Sequence, residues 1–250
     1  MKYENISMDI CSSDEVAAMN LIKNAAYFLC KELIIDIRDF KVHFLMSFDY
    51  ITDAKKVHHS NEDIGYPNAS FIAPYNQSEA YVNKGVPIII INLAKLRNAP
   101  QVFKESVIVH ELVHYYDYII SGAHFSNKYK VNLSDNGILI AYFQTRSEMR
   151  AKFYQEKYTY ISNETSYHSL RHLRETLTPI NESDIFYSLS HAKGQLHYWD
   201  SLVLQPALKQ FVEKEKSKIA KYEKLNGIID LTEIFEINGF FEFCNKTSKK

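Results

Sequence analysis

His110, Glu111 and His114 form an H-E-x-x-H segment within the apolar stretch 98–121. On an α-helix each residue turns by about 100°, so His110 and His114 fall one above the other on the same face. Two imidazoles at that spacing can grip one metal ion, and zinc takes neutral nitrogen ligands at about 2.0–2.1 Å in a tetrahedral arrangement. Glu111 points about a quarter turn aside, too far round the helix for a good ligand position. From there its carboxylate can reach a metal-polarised water and act as the general base in attack on a carbonyl. The competing reading is a core helix with two satisfied histidines and a surface glutamate. Val107, Ile108, Val109, Leu112 and Val113 weigh against it, because they make the helix apolar around most of its circumference. Two histidines and a glutamate on a buried helix need a reason.

Two histidines leave a zinc site short of a protein ligand, and a following helix usually supplies it. Glu148 sits in Ser147-Glu148-Met149-Arg150-Ala151, on a helix expected over 137–160. Taken alone, Glu148 would be an exposed residue pairing with Lys152 one turn on. Other histidines carry less. His58 and His59 are adjacent and diverge on any regular element, which suits a surface loop. His124 lies beyond the helix stop at Ser121-Gly122, with no glycine-bearing return pattern. His168 and His172 share a helical spacing, but their neighbours Ser169, Arg171 and Arg174 mark a solvated face.

The elements that must hold these groups are legible as periodicities. Ser12 and Glu15 have capping-box spacing, and Val16, Met19, Ile22, Ala26, Leu29 and Leu33 continue as a helix to about 34. Residues 41–48 read as a strand, 49–69 as a polar stretch, and SFIAPY at 70–75 as a short strand. VPIIIIN at 86–92 is the clearest strand, branched and apolar throughout. Either of the last two could take a peptide as an added strand if it forms a sheet edge. A short link then leads to the motif helix, with Asn98 as its expected N-cap and Pro100 in its first turn. Beyond 161 the patterns are helical: 165–177, 183–204, an exposed charged helix 206–225 entered at Pro206, and an apolar helix at 230–243.

Composition narrows the class. The chain has 250 residues, 46% hydrophobic and 24% charged, as in soluble globular proteins. Lys+Arg total 29 against 30 Asp+Glu, and no basic stripe stands out, so no nucleic-acid partner is expected. The 3 cysteines are Cys11, Cys30 and Cys244, far apart and odd in number, which suits a reducing compartment. There is no apolar leader and no stretch of about 18 apolar residues. A cytoplasmic, membrane-free location is expected, and export by a specialised machine remains compatible with it.

HELVHYYD at 110–117 followed by SEMRA at 147–151 resembles the gluzincin-like small metallopeptidases. The nearest likenesses are the mitochondrial ATP-synthase-assembly protease family, with HELxHxxD and SExRA helices, and the phage-repressor-cleaving ImmA/IrrE family. The likeness covers about residues 70–155, and the first family's cysteine-bearing flanks are missing. It implies zinc held by His110, His114 and Glu148, with Glu111 as catalytic base and a protein or peptide as substrate. Asp117 is then a helper that orients a histidine or pairs with Arg146 or Arg150, or else an alternative third ligand. The donor that stabilises the oxyanion is open among Tyr115, Tyr116, Tyr154, Tyr158 and His172. The expected class is α+β: a zincin-like domain over 1–160, made of a short sheet, the motif helix and the ligand helix, with a helical extension over 161–250. A catalytically silent module with structural or sensing zinc is the alternative function.

Overall fold

The computed structural model describes residues 6–10, 15–58, 65–73, 86–121, 137–162, 170–202 and 204–226. The chain divides into two compact units, Met1–Phe125 and Ser126–Lys250. The class is α+β: a four-stranded mixed sheet precedes a mainly helical region.

In the first unit the strands are β1 (Ile6–Ile10), β2 (Val42–Ser47), β3 (Ala69–Ile72) and β4 (Ile88–Asn92). Their order is β1-β2-β4-β3. β1 pairs parallel with β2, β2 pairs parallel with β4, and β3 pairs antiparallel with β4. Every residue of β4 is buried, as its unbroken isoleucine run requires of an interior strand with both faces covered. Of the two strands considered for peptide pairing, β4 is therefore interior and β3 is outermost among the described strands. The last residues of SFIAPY, Pro74 and Tyr75, lie outside the described residues.

Four helices belong to this unit: α1 (Glu15–Leu33), α2 (Tyr50–Val57), α3 (Leu93–Leu96) and α4 (Gln101–Tyr115). Residues 12–14, which carry most of the expected capping box, are not described. The buried stripe of α1 is Ala18, Ile22, Ala25, Ala26 and Leu29, so it opens at Ala18 while Val16 stays exposed. The stretch 49–57 is helical where the polar sequence suggested a loop. Asp49 caps its start, and only Tyr50, Ala54 and Val57 turn inward, too few apolar positions for periodicity to announce a helix. Those three pack against Ile72, Ile88 and Ile90 on one face of the sheet. On the other face Phe71 meets Tyr118, just beyond α4, with ring centroids 5.8 Å apart.

The start of α4 also differs from expectation. Asn98 is exposed, and the helix begins at Gln101 behind Pro100, with no side-chain cap. The capping asparagine is Asn92, whose Oδ1 accepts from Lys95 N at 3.1 Å and opens α3. Its Nδ2 donates to Pro67 O at 3.0 Å, tying the lead into β3 to the end of β4.

The second unit holds α5 (Gly137–Ser162), α6 (Leu170–Thr176), α7 (Ile185–Asp200) and α8 (Pro206–Leu225). The residues around His124, His168 and 227–250 lie outside what is described. α5 and α7 pack tightly because Gly194 lacks a side chain: a Cβ there would stand 2.3 Å from Met149 O. α8 was expected to be a solvated charged helix, yet Leu208, Val212 and Ile219 are buried. Its apolar stripe is only one residue wide per turn, which the many lysines and glutamates mask in the composition. Glu223 is buried too, and accepts from Lys193 Nζ at 2.7 and 2.9 Å. No described helix is long and apolar enough to cross a membrane.

Candidate metal centre

α4 is buried on every side from Glu105 to Tyr115. Two polar anchors fix it. Glu105 accepts from Asn24 Nδ2 of α1 at 2.7 Å and from Gln101 Nε2 at 2.9 Å. At the far end the Tyr115 hydroxyl donates to Asp39 O at 2.8 Å and accepts from Lys41 N at 2.8 Å. That commitment removes Tyr115 from the candidate oxyanion donors: both its donor and its acceptor capacity serve the backbone ahead of β2. Burial pushes the Tyr115 phenol above its ordinary pKa; the Lys41 hydrogen bond opposes this and the charge of Asp39 adds to it.

Helix geometry then does what the spacing promised. His110 and His114 are each 7% exposed, and their Nε2 atoms stand 3.1 Å apart. The rings lie edge to face, with centroids 4.8 Å apart. Tyr118 reaches to within 6.4 Å of the His114 ring centroid on the side where it also meets Phe71 of β3. Glu111 is equally buried at 7%. Its charge is felt at Tyr50 of α2. Burial raises the Tyr50 phenol's pKa, a hydrogen bond with Ser70 works against that, and Glu111 raises it further.

After Tyr115 the helix widens into a π-helix, Tyr116–Ser121. Asp117 lies in that widened turn and is fully buried. A π-turn breaks the α-helical register, so the one-turn relation between His114 and Asp117 expected from the sequence does not carry through unchanged.

Glu148 lies midway along α5. Its side chain is 24% exposed, and its Oε2 is 2.9 Å from Nε2 of His191 on α7. The exposed pairing with Lys152 is not what forms: Lys152 Nζ bridges to Glu156 at 3.2 Å instead. The neighbours of Glu148 are buried, including Arg146 at 2% and Arg150 at 7%. His191 itself is held under the ring of Tyr187, one helical turn earlier, with centroids 4.0 Å apart.

Each unit thus brings two potential metal-ligating groups together: His110 and His114 in the first, Glu148 and His191 in the second. The first pair contains both motif histidines, and the second contains the S-E-x-R-A glutamate. His191 had no assigned part in the sequence reading. It lies 43 residues beyond Glu148, with no ligand spacing to mark it. The available signal was indirect: Ser190, Ala192 and Gly194 around it are small, as a helix in close contact with another requires.

No protein-family model, curated protein or solved structure matches the chain.

Proposed function

We propose that the protein is a zinc-dependent endopeptidase acting on a specific protein target. The observation that carries this reading is the pairing of His110 and His114 on the buried H-E-x-x-H helix, with Glu111 buried beside them. The donor set suits zinc. Two nitrogens bound at about 2.05 Å in tetrahedral directions stand about 3.3 Å apart, and the His110 and His114 Nε2 atoms are 3.1 Å apart. His110, His114 and Glu148 would hold the ion. Bound there, it would polarise a water and a carbonyl oxygen, as zinc does in metallohydrolases.

The chain's own groups supply the rest. Glu111, buried and one residue past the first ligand, would accept the water's proton and later return it to the leaving amine. α4 is fixed at both ends by the Glu105 and Tyr115 anchors, so the histidines and Glu111 hold their spacing without reorganisation. β3, outermost of the described strands, reaches His114 through Phe71 and Tyr118. An extended substrate could pair with that strand and lie along the motif helix. Tyr116, Tyr154, Tyr158 and His172 stay open as oxyanion donors.

A second reading has one observation in its favour. His191 Nε2 stands 2.9 Å from Glu148 Oε2, so a further imidazole lies beside the third proposed ligand, and a zinc surrounded by four protein ligands is closed to substrate, as in structural sites. In that case the protein is a silent module with structural or sensing zinc. Glu111→Gln separates the two. A peptidase loses cleavage of a candidate protein or peptide pool by about 100- to 10,000-fold while keeping stoichiometric zinc. Chelator-sensitive cleavage that survives in Glu111→Gln ends the base assignment, and wild-type zinc binding with no cleavage of any target favours the silent module.

A further inference from the structure

The carboxyl ends of β2 and β4 open into a cleft of about 760 Å³ that contains none of the proposed metal ligands. All of its described lining belongs to the first unit. Beyond the carboxyl ends of parallel strands the connecting segments part, and the crevice they leave is a common ligand position. Here β2 ends at Ser47 and Phe48 follows at the rim. β4 ends at Asn92, whose side chain caps α3 at once. The chain therefore turns out of the sheet and carries Leu93, Leu96 and Arg97 over the opening. The other walls are α1, through Ala17 and Leu21 one turn apart, and the first turn of α4, through Gln101 and Lys104.

Two properties of this lining define what would fill it. Its body is apolar: Leu21, Met46, Leu93 and Leu96 line it, and Phe48 stands 53% exposed, a large ring left in water. Its charge has a single sign. Arg97 and Lys104 are the only charged groups among the described lining residues. Lys104 Nζ donates to Arg97 O at 3.3 Å, which gathers the two cations in one place. A gathered positive pair beside an apolar wall suits a single anionic head with a hydrocarbon tail. A polyanion would be met by cations along a face or stripe. The volume lies within the range of about 300–1,000 Å³ typical of small-molecule sites.

We propose that this cleft binds a small amphipathic anion of the fatty-carboxylate class. The carboxylate head meets Arg97, whose planar fork can hold both of its oxygens, and Lys104. The chain covers Leu21, Leu93 and the exposed ring of Phe48. The proposal is independent of any metal in the protein.

The test titrates the full chain with decanoate by calorimetry, below the concentration at which decanoate aggregates, and with decanol as the uncharged probe of equal chain length. Decanoate should bind saturably at one site per chain, about 10-fold or more tighter than decanol. Each methylene added between octanoate and dodecanoate should tighten binding by about two- to four-fold, as burial of a methylene does. The double change Arg97→Gln with Lys104→Gln should weaken decanoate by about 10- to 100-fold and leave decanol within about three-fold of the parent. Ala17→Trp, at an exposed position of α1, should fill the cleft and abolish binding of both. The charge comparison stands on the parent chain and on the double variant even if Ala17→Trp unsettles α1. Absence of saturable decanoate binding overturns the proposal, and so does unchanged affinity in the double variant. Undiminished binding in Ala17→Trp would put the ligand elsewhere and overturn it too. Saturable binding of an acidic amphipathic peptide with none of decanoate would replace it with a protein-docking groove.

Discussion

Oε2 of Glu148 stands 2.9 Å from Nε2 of His191 on a neighbouring helix. The pair converts an ordinary-looking glutamate on a charged helix into an oriented carboxylate. Glu148→Ala should therefore cost more metal affinity than the loss of an outer partner, more than about 100-fold. Zinc competition titration reads this directly, with His110→Ala expected to do the same. If Glu148→Ala binds zinc like the parent, Asp117 becomes the ligand to examine.

Gly194→Ala should destabilise the protein. Helix propensity alone favours alanine over glycine by about 1 kcal/mol. Against it, the new Cβ would sit 2.3 Å from a backbone carbonyl that no side-chain rotation can move aside. Overpacking of this kind costs about 1–3 kcal/mol, and a backbone contact belongs at the upper end, so the clash outweighs the propensity gain. Urea denaturation should show a net loss of about 1–2 kcal/mol. A variant as stable as the parent, or more so, would mean that α7 can move off α5 at little cost.

Lys193 and Glu223 form a bidentate pair with side chains only 7% and 4% exposed. Removing one partner strands the other charge away from water. Glu223→Ala should cost about 3–5 kcal/mol, while the double change Lys193→Met with Glu223→Leu should come out near neutral. Equilibrium unfolding of the single and double variants checks both. A double variant as damaged as the single one would show that the pair's contacts matter beyond its charges.

The Cys30 thiol is pushed up to about 11 by partial burial, with the charges of Asp36 and Asp39 adding to the shift. The shift disfavours the thiolate, so at pH 8 the reactive fraction is about 100-fold smaller than for an ordinary cysteine. With Cys11 and Cys244 replaced by serine, Cys30 should react slowly with a disulfide reagent. The rate should rise as pH approaches 11 and jump when urea unfolds the chain. Rapid reaction at pH 7 in the native protein would contradict the burial and charge account.

Local spacing determined much of what can be read here without coordinates. H-E-x-x-H places two imidazoles on one helical face because the α-helix has a fixed period, and their 3.1 Å separation follows from that. The isoleucine run at 88–91 announced a strand covered on both faces, and the long helix carrying Glu148 announced itself by its length. A helix with three inward residues, such as α2, stayed hidden because so few positions cannot establish a period. The strand order, the commitment of Tyr115 to the backbone ahead of β2, and the meeting of His191 with Glu148 were decided only by the tertiary structure. Each joins residues distant in the chain. Such meetings depend on which surfaces can approach, and here on a single missing side chain at Gly194, rather than on any repeat along the sequence.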